Sequence, residues 1–455
     1  MKILVIGANG REDAICWLAG QSPAVERIFY FGKNAGMACR PKCQELAQPL
    51  GISCIIDLAR RQEVDFTIVG PEQPLADGIV DQFRTAGLSI FGPTQAAAAL
   101  ETDKAFAKKM MAECHVPTAN ARLFAAAELD LAKAYVAAIG LPLVVKAIGL
   151  AGGKGAMVCR TIEQAIDAIE RCLVRREFGP AGDAILIEEF LAGPSGLNRP
   201  EVSVLAVVDA FGNFKMFPFA QDHKPAYDGD QGPNTGGMGS FAPVSWVSRE
   251  MMDQVAQTIF TPIIAGMKAR GTPFSGVLYA GLMWTASGFK VVEFNVRLGD
   301  PEIQPLSMLL KTDLIPVLKK IADGESIADV ELEWKSGAAV CVVIASHGYP
   351  QSYRKGALIK GLDSDYIRGL ATNGQLQIFH AGTKFAAGSR QVVTDGGRVL
   401  GVTAFCASPA AGHSPLAGAA RIAYQAAFEI DWLDSGGNKP QLRTDIANSV
   451  PPALS

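Results

Sequence analysis

Short apolar segments, separated by stretches with a helical pattern, most strongly limit what the first part of this chain can fold into. These segments run over Lys2–Gly7, Arg27–Phe31, Phe66–Gly70 and Ile90–Pro93. A helical pattern from Glu12 to Ala19 follows the first of them. Buried strands that alternate with helices favour a parallel sheet with helices on its faces. The sequence therefore predicts an α/β fold whose first domain, residues 1–101, is built on a parallel sheet.

The size and charge of the chain exclude several classes of protein. At 455 residues it is long enough for about three domains. Its net charge of −3 argues against a nucleic-acid partner, because phosphate binding needs a basic excess or patch. No stretch approaches the ~18 uninterrupted apolar residues that a membrane span requires, and the charged Arg11-Glu12-Asp13 follows the apolar start too closely for a secretory signal. Nine scattered cysteines without a Cys-x-x-Cys pair indicate neither a disulfide framework nor a zinc site. We therefore expect a soluble, cytoplasmic protein without a membrane partner.

Two further units are predicted after the first. The alanine-rich stretch Thr94–Cys114 predicts one long helix, and the spacing of apolar residues predicts another over Ile162–Arg175. Between Gln221 and Gly239 the chain is polar and glycine-rich without periodicity, and loops of this length usually have a function. A third unit begins near Trp334, and its alanine-rich Ala407–Ile430 is predicted to be helical in part. Strands of the two units are predicted at Leu143–Ala147, Ala156–Arg160, Ile185–Glu188, Val202–Val208, Gly276–Met283, Lys290–Arg297, Ala338–Ala345, Gln377–Phe379, Gln391–Thr394 and Gly401–Phe405.

The turn Gly7-Ala8-Asn9-Gly10-Arg11 lies where the first strand passes into the first helix. A helix N-terminus there offers backbone N–H groups and the positive end of the helix dipole to an anion. A dinucleotide-binding fold is disfavoured, because the glycine spacing is not Gly-x-Gly-x-x-Gly and the second strand ends in Phe31-Gly32-Lys33 without an acidic residue for a ribose. Two interpretations remain: a tight turn that only needs glycine, and a site for a phosphorylated small molecule.

The glycine-dense segment Gly149-Leu150-Ala151-Gly152-Gly153-Lys154-Gly155 lies between two predicted strands, the first of which carries Lys146. A glycine-rich hairpin can place backbone amides over a polyphosphate, and lysine adds positive charge. The segment lacks the Gly-Lys-Ser/Thr ending of a Walker loop, and a strand follows it where that motif has a helix. A phosphate-binding lid and a plain flexible loop are both consistent with this pattern.

The strand Lys290–Arg297 is the most informative segment for chemistry. Its polar residues Glu293, Asn295 and Arg297 alternate with apolar ones and therefore share one face. A solvent-facing strand would show the same alternation. Carboxylate and amide oxygens, however, suit Mg²⁺ that bridges nucleotide phosphates, and arginine suits a transferring phosphoryl group or a substrate carboxylate. The pattern therefore favours a site for metal-assisted phosphoryl transfer.

Taken in chain order, these motifs resemble the ATP-grasp enzymes and, among them, the phosphoribosylamine–glycine ligase (glycinamide ribonucleotide synthetase) family. The resemblance spans nearly the whole chain. It rests on Gly7-x-x-Gly10-Arg11-Glu12, Asn34-Ala35-Gly36, Gly70-Pro71-Glu72, Lys104-Ala105-Phe106-Ala107-Lys108, Gly153-Lys154-Gly155, Asp222-His223-Lys224, Asn234-Thr235-Gly236-Gly237-Met238-Gly239, Glu293-Phe294-Asn295-x-Arg297-x-Gly299-Asp300-Pro301-Glu302 and Gly396-Gly397-Arg398-Val399-Leu400-Gly401-Val402-Thr403.

The resemblance implies an architecture. The domain over 1–101 would be Rossmann-like, and an ATP-grasp domain would follow over 102–326, with a mobile glycine-rich lid at about 120–190. A C-terminal α+β domain would span 327–447, with a tail over 448–455. The resemblance also implies a monomer, with a weak dimer as the alternative.

The resemblance also implies a reaction. ATP, with Mg²⁺ or Mn²⁺, would phosphorylate the carboxylate of glycine, and the amine of 5-phosphoribosylamine would then attack the acyl phosphate. The products would be glycinamide ribonucleotide, ADP and phosphate, in purine biosynthesis. Catalytic roles would fall to Arg297, Lys146 and Lys224, and metal binding to Glu293 and Asn295. ATP would be bound by Lys104, Lys146, Gly152, Gly153, Lys154, Gly155, Glu188, Leu191 and Glu201. Glycine and the amine would be bound by Gly7, Asn9, Gly10, Arg11, Glu72, Asp222, Lys224, Asn234, Thr235, Gly236, Gly237, Met238, Gly239 and Arg297.

Several positions depart from the family pattern. Asp13 replaces a usual histidine, Ile148 replaces an aspartate, and Thr102-Asp103 replaces Gly-Ser. Extra residues, about Pro194–Pro200, precede Glu201. These departures leave open a related ATP-grasp ligase with another carboxylate or amine as substrate. A non-catalytic nucleotide-binding protein and an NAD oxidoreductase are the remaining, weaker alternatives.

Overall fold

The computed structural model describes residues 1–152, 154–195, 197, 199–407 and 414–447. Its first unit is a five-stranded parallel sheet in which β1 is central, in the order β3-β2-β1-β4-β5. The strands and helices of this unit are β1 (Lys2–Ile6), α1 (Gly10–Gln21), β2 (Arg27–Phe31), α2 (Ala35–Cys39), β3 (Cys43–Leu46), α3 (Ile52–Arg61), β4 (Phe66–Val69), α4 (Glu72–Ala76), α5 (Ile79–Thr85) and β5 (Ile90–Phe91). The predicted parallel sheet is confirmed. Strand β3 escaped prediction because it is an edge strand whose Gln44 and Glu45 are exposed, so it has no apolar run.

The single helix predicted over Thr94–Cys114 is wrong. Two helices occupy this stretch, α6 (Gln95–Thr102) and α7 (Lys104–Glu113), and Asp103 separates them. The Asp103 carboxylate accepts hydrogen bonds from the backbone N–H groups of Ala105 and Phe106, at 2.9 and 3.1 Å. Aspartate in this capping position starts a new helix, so Lys104 lies in the first turn of α7.

A smaller antiparallel sheet follows, in the order β6-β9-β7-β8. Its elements are β6 (Ala121–Ala125), α8 (Leu129–Ile139), β7 (Leu143–Ala147), β8 (Ala156–Cys159), α9 (Ile162–Leu173) and β9 (Ala184–Glu189). The two helices pack together and enclose, with the sheet, a hydrophobic core that is separate from the rest of the protein. The glycine-dense segment connects β7 to β8, as predicted.

The next part of the chain contributes strands to two different sheets. Its elements are β10 (Glu201–Val208), β11 (Phe214–Met216), β12 (Gln221–Asp222), β13 (Pro225–Tyr227), β14 (Gln231–Asn234), β15 (Gly239–Ala242), α10 (Arg249–Val255), α11 (Thr261–Ala269), β16 (Gly276–Thr285) and β17 (Gly288–Asn295). Strands β16 and β17 form the predicted antiparallel hairpin, in a sheet of order β11-β10-β16-β17.

The stretch Gln221–Gly239 is more ordered than its lack of periodicity predicts. Strands β13 and β14 pair as a hairpin, and β12 and β15 flank it. Each of these strands is only two to four residues long, too short to show alternation. Strand β15 pairs with β18 (Ala338–Ala345) of the C-terminal sheet, so this segment ties the last part of the chain to the middle.

The C-terminal sheet is antiparallel, in the order β12-β15-β18-β22-β19. Its remaining elements and those around it are α12 (Ile303–Leu309), α13 (Leu314–Ala322), α14 (Asp365–Thr372), β19 (Leu376–His380), β20 (Thr383–Phe385), β21 (Val392–Thr394), β22 (Arg398–Cys406) and α15 (Pro415–Glu429). Helix α15 packs on β18 and β22. Within the described ranges, no helix combines the length and apolarity needed to cross a bilayer.

Candidate active site

A cavity of about 520 Å³ is lined by residues from the N-terminal unit, the small β6–β9 sheet, the sheet of β10, β16 and β17, and the C-terminal sheet. Most of the site residues predicted from the sequence line it, although they come from widely separated parts of the chain. They are Asn9, Arg11, Glu72, Lys104, Lys146, Gly152, Gly155, Glu188, Leu191, Glu201, Asp222, Lys224, Asn234, Thr235, Gly236, Glu293, Asn295 and Arg297. The fold therefore assembles the predicted nucleotide, metal and substrate residues around one space.

Some predicted site residues lie outside the lining of this cavity. Lys154 lines a neighbouring cleft of about 860 Å³, between β8 and the β13–β14 hairpin. Gly153 and the tail over 448–455 fall outside the described residues. The other predicted residues that do not line the cavity are Gly7, Gly10, Gly237, Met238 and Gly239.

Packing explains the glycines among them. A Cβ atom on Gly7 would overlap the side chain of Glu12, one on Gly10 would crowd Gln304, and one on Gly237 would overlap Pro301. Gly7 and Gly237 also have φ of +104° and +107°, a region that favours glycine. Their requirement for glycine thus follows from the close approach of chain segments.

The N-terminus of α1 is occupied by a carboxylate from its own first turn. Glu12 Oε2 accepts the backbone N–H of Asn9 at 2.7 Å, and Oε1 accepts Arg11 Nε at 2.7 Å. The Glu12 side chain is fully buried. Glu12 already accepts the backbone N–H at this turn, so the geometry does not support a backbone site for an external anion there. The turn instead presents the side chains of Asn9 and Arg11 to the cavity.

Two lysines predicted to bind phosphates, Lys104 and Lys146, both line the cavity. Lys104 Nζ donates to the carbonyl of Gly149, at 2.9 Å, at the start of the glycine-dense segment. Lys146 Nζ donates to the carbonyl of Val292 at 3.0 Å and pairs with Glu188 Oε2 at 2.8 Å. Burial lowers the pKa of Lys104. Because of its pair with Lys146, the side chain of Glu188, which was predicted to meet the adenine, points toward that lysine in this structure.

Lys108 is a cavity residue that the sequence analysis did not select. Its Nζ lies 3.2 Å from Glu188 Oε1 and donates to Thr118 Oγ1 at 2.8 Å and to the carbonyl of Ala119 at 2.9 Å. Its position was available from the sequence, because residues four apart on a helix share a face and Lys108 follows Lys104 by four.

The ammonium group of Lys224 lies among carboxylates. Its Nζ is 2.5 Å from Glu201 Oε1 and 3.6 Å from Glu293 Oε1. Burial opposes the charge on Lys224, but Glu201, Glu293 and Asp222 outweigh it and raise its pKa. The residue assigned to the ribose and the residue assigned to the metal are thus bridged by one cation.

Two carboxyl groups in this region have pKa values that are shifted in opposite directions. Burial disfavours the charge of Glu293, but Lys224, Lys146, Lys104 and Arg297 outweigh it and lower its pKa to about 2. Burial raises the pKa of Asp222 to about 8, since Lys224 only partly offsets it and neighbouring carboxylates add to it. Glu293 is therefore a permanent anion at neutral pH, as a metal ligand requires.

Arg297 lies two residues after the end of β17 and remains beside the polar face of that strand. Its Nη2 donates to Asn295 Oδ1 at 3.0 Å and lies 3.1 Å from Glu101 Oε1, and its Nε lies 3.5 Å from Glu72 Oε2. Glu101, which the sequence analysis missed, also accepts the backbone N–H of Val296 at 2.7 Å. Burial opposes the charge of Arg297, but Glu101 and Glu72 outweigh it and raise its pKa. The guanidinium is thus held at the cavity wall by two carboxylates from the N-terminal part.

The protein oxygens available for a metal are few. Among the described residues no group of three or more His, Cys, Asp or Glu side chains forms a metal cluster. Glu293 and Asn295 supply one carboxylate and one amide oxygen on the same strand face. Mg²⁺ in nucleotide sites takes one or two protein carboxylates and completes its shell with phosphate oxygens and water, so this donor set fits Mg²⁺ that arrives with ATP.

No site role was assigned from the sequence to four further residues: Arg398 from the C-terminal part, and Asp300, Tyr279 and Glu302 from the middle of the chain. Arg398 Nη2 pairs with Asp300 Oδ2 at 2.9 Å, and Nη1 donates to the carbonyls of Asp300 and Gly236. Tyr279 donates its hydroxyl to Glu302 Oε1 at 2.8 Å. All of these residues line the cavity. Arg398, from the C-terminal part of the chain, therefore holds the glycine-rich loop at Gly236.

A buried ion-pair cluster holds the β13–β14 hairpin from the C-terminal side. Arg443 is fully buried and pairs with Asp445 at 2.5 Å and with Asp230 at 3.0 Å, and it also donates to the carbonyl of Pro225 at 3.1 Å. Arg199 pairs with Asp230 at 3.0 Å and with Asp445 at 2.9 Å. The extra residues before Glu201 thus bring a second arginine into this cluster.

Comparisons with known proteins agree with this geometry. Family models match three consecutive parts of the chain: the phosphoribosylglycinamide synthetase N domain over residues 1–101, its ATP-grasp (A) domain over 102–303 and its C domain over 339–449. A phosphoribosylamine–glycine ligase of Rhodopirellula baltica is 44% identical over 437 residues, which cover 95% of this chain and 94% of that protein. The phosphoribosylamine–glycine ligase of Escherichia coli K12 is 44% identical over 439 residues, covering 95% and 96%.

Solved structures give the same result. The phosphoribosylamine–glycine ligase of Thermotoga maritima has a TM-score of 0.78 at 27% identity and covers 98% of this chain and 100% of that chain. The biotin carboxylase domain of a Hydrogenobacter thermophilus 2-oxoglutarate carboxylase, solved with MgADP and ADP, has a TM-score of 0.71 over 97% and 91% of the two chains. At 15% identity, that second likeness concerns the fold alone. The sequence matches, the parallel N-terminal sheet and the assembled cavity together establish that this chain belongs to the phosphoribosylglycinamide synthetase family, with an ATP-grasp domain at its centre.

Proposed function

We propose that this protein is an ATP-dependent ligase that joins glycine to 5-phosphoribosylamine, giving glycinamide ribonucleotide, ADP and phosphate in purine biosynthesis. The observation that carries the proposal is the single cavity, in which two lysines, the Glu293–Asn295 pair and Arg297 face one another. Relatives that carry the name phosphoribosylamine–glycine ligase match 95% of the chain. Phosphoryl transfer needs mainly positioning and charge neutralisation, and these residues supply both.

The nucleotide lies, in this proposal, along the side of the cavity formed by β7, β9 and α7. Lys104 and Lys146 bind the phosphates, and the loop with Gly152, Gly153, Lys154 and Gly155 closes over them. The segment from Glu188 to Leu191 meets the adenine, and Glu201 meets the ribose. The separate core of the small sheet supports its motion as a lid over about 120–190.

Glycine and the amine occupy the other side. Arg297 holds the glycine carboxylate or the transferring phosphoryl group, since a guanidinium matches both in shape and charge. The carboxylate oxygen takes the γ-phosphoryl group of ATP, and the amine of 5-phosphoribosylamine then displaces phosphate from the glycyl phosphate as the C–N bond forms. Asp222, Lys224, Glu72, Asn9, Arg11 and the loop Asn234–Gly239 position these substrates, with Gly7 and Gly10 shaping the turn behind them.

Mg²⁺ is the metal we propose, and Mn²⁺ can take the same oxygen ligands. Glu293 and Asn295 would hold it. When bound, the ion neutralises phosphate charge. We further propose domains over 1–101, 102–326 and 327–447, a cytoplasmic location and a monomeric state with a weak dimer as the alternative.

The test is ADP release with Mg²⁺ and glycine, with and without 5-phosphoribosylamine generated in the assay, with the product identified by mass. ADP formed only when both substrates are present, together with the mass of glycinamide ribonucleotide, is the expected result. Turnover with a different carboxylate or amine would establish the alternative ligase instead. Absence of any amine-dependent turnover in a protein that binds ATP would overturn the proposal.

A further inference from the structure

Glu188 is a buried carboxylate shared by two lysines. Its side chain is 3% exposed, and its two oxygens face different cations: Oε2 lies 2.8 Å from Lys146 Nζ and Oε1 lies 3.2 Å from Lys108 Nζ. Lys108 and Lys146 are themselves mostly buried, with side chains 13% and 7% exposed. A carboxylate in such surroundings is strongly destabilising when it lacks a partner.

The two lysines differ in how they are anchored. Lys108 donates to Thr118 Oγ1 and to the carbonyl of Ala119, at 2.8 and 2.9 Å. Thr118 is in turn fixed to β17, because its hydroxyl donates to the carbonyl of Val291 at 2.7 Å. Among the described residues, Lys146 Nζ has one neutral acceptor besides Glu188, the carbonyl of Val292 at 3.0 Å. Lys108 is therefore tied to a fixed segment, whereas Lys146 is held largely by the carboxylate.

The proposed function, on which this inference rests, assigns Lys146 to the phosphates of ATP. If Lys146 turns to the phosphates, Glu188 loses its shorter ion pair. A second, stationary cation then keeps the carboxylate paired. Without it, Glu188 would compete with ATP for Lys146.

We propose that Lys108 is a positioning residue for ATP binding: it keeps the Glu188 carboxylate paired when the Lys146 ammonium group turns to the phosphates. Lys108 itself needs no contact with the nucleotide. Its effect is specific to ligands that carry phosphates, because adenosine makes no demand on Lys146. This specificity separates the proposed role from a merely structural one.

The experiment measures the Kd of the intact protein for ATP with Mg²⁺, and for adenosine, by titration calorimetry without glycine or amine. Lys108→Met is expected to weaken ATP binding by about tenfold to a hundredfold, because the orphaned Glu188 retains Lys146, and to leave adenosine binding within about twofold of wild type. The double variant Lys108→Met/Glu188→Gln is expected to bind ATP as tightly as Glu188→Gln alone, because Lys108 has no competing charge to hold once the carboxylate is gone.

Two further variants keep the test decisive. Lys108→Gln removes the charge but keeps a donor for Thr118 and Ala119, so it is expected to show the same loss even if the methionine variant folds poorly. Lys109→Met alters the neighbouring lysine of the same helix, which is 61% exposed and pairs with Glu113 at 3.9 Å. This variant is expected to bind ATP normally.

The inference is overturned if the Lys108 variants bind ATP like wild type, if they lose adenosine affinity to the same extent, or if Lys108→Met weakens ATP binding as much in the Glu188→Gln background as in wild type. Failure of the wild-type protein to bind ATP would contradict both this inference and the proposed function. Normal wild-type ligation together with unaltered ATP binding in Lys108→Met would contradict this inference alone.

Discussion

The carboxylate of Asp13 is paired with the guanidinium of Arg40, with Oδ2 2.8 Å from Nη2. The Asp13 side chain is fully buried, and it also accepts the backbone N–H of His380, in the C-terminal sheet, at 2.7 Å. The pair thus joins α1 to a distant part of the chain. Asp13 is the position where the resemblance predicts histidine, and its charge is neutralised within the protein. The departure therefore gives no support to a different substrate.

Removal of this carboxylate is expected to destabilise the protein without altering its substrates. Asp13→Ala leaves the guanidinium of Arg40 buried without its partner, and loss of one member of a buried pair costs about 3–5 kcal/mol. Urea unfolding should show this drop in the free energy of unfolding, while KM for the amine stays within about twofold of wild type. Glu63→Ala breaks the exposed pair with Lys2 and should have a much smaller effect. A large change in KM with unchanged stability would contradict the assignment.

A second prediction concerns the packing of Gly70 against the Glu12 carboxylate. A Cβ atom on Gly70 would overlap the Glu12 carboxylate, so Gly70→Ala must displace the group that caps α1. We expect the free energy of unfolding to fall by about 1–3 kcal/mol, as for overpacked cores, and KM for the amine to rise because Asn9 and Arg11 lose their support. Urea unfolding and steady-state kinetics measure the two effects.

The matched control is Gly369→Ala. Gly369 lies in α14 with open space around its Cβ position, so alanine there should be neutral or stabilising. If Gly70→Ala proves as stable as this control, Glu12 has room to move and the account of the turn is wrong.

These two sites mark the limit of prediction from the sequence. The glycines of the first turn and Glu12 were all visible in the sequence, but the contact between Gly7 and Glu12 was not, because a glycine's requirement comes from what packs against it in three dimensions. Local periodicity predicted the polar face of β17, since Glu293 and Asn295 share it by alternation alone. Arg398 reaches the same cavity from more than a hundred residues away, and no local pattern carries that contact.

The secondary-structure predictions that were wrong or incomplete have two physical causes, a capping side chain and contacts between distant parts of the chain. The helix predicted over Thr94–Cys114 satisfies helical propensity throughout, and only the capping bonds of Asp103 divide it. The short strands around the β13–β14 hairpin depend on pairing with β18 and with each other. Their stability comes from tertiary contacts, which a sequence window does not contain.

The metal site gives a third prediction. Glu293→Gln keeps the shape of the side chain but removes the charge, so the Mg²⁺ concentration for half-maximal ADP formation should rise at least about tenfold, as loss of even outer-shell groups does. The pKa of Glu293 is lowered to about 2. Its contribution to stability is therefore present above its usual pKa near 4.5 and is lost only as the pH falls through about 2.

It follows that Mg²⁺ dependence should not be lost through protonation of Glu293 between pH 8 and 5. Titration of Mg²⁺ against initial rate across this range measures the effect. Lys320→Met, which breaks an exposed pair with Asp329 far from the cavity, should leave the Mg²⁺ requirement unchanged. An Mg²⁺ requirement that is the same in Glu293→Gln as in wild type would remove this residue from the metal site.

Asp222 allows a prediction with the opposite sign. Burial raises its pKa to about 8, so the folded protein without substrates retains a proton that the unfolded chain releases near pH 4. Stability rises with pH where the unfolded state binds more protons, and falls where the folded state does. Asp222 therefore lowers stability progressively as the pH increases from about 4 to about 8.

Asp222→Asn removes this dependence, so the variant should be more stable than wild type at pH 8 and nearly equal to it at pH 4. Urea midpoints at several pH values measure the difference, with the exposed Asp253→Asn of α10 as a control that should show no such trend. The same substitution should reduce ligation, because a stabilising change in a functional site commonly lowers activity. A stability difference that shrinks as the pH rises would show that Asp222 is ionised in the empty site.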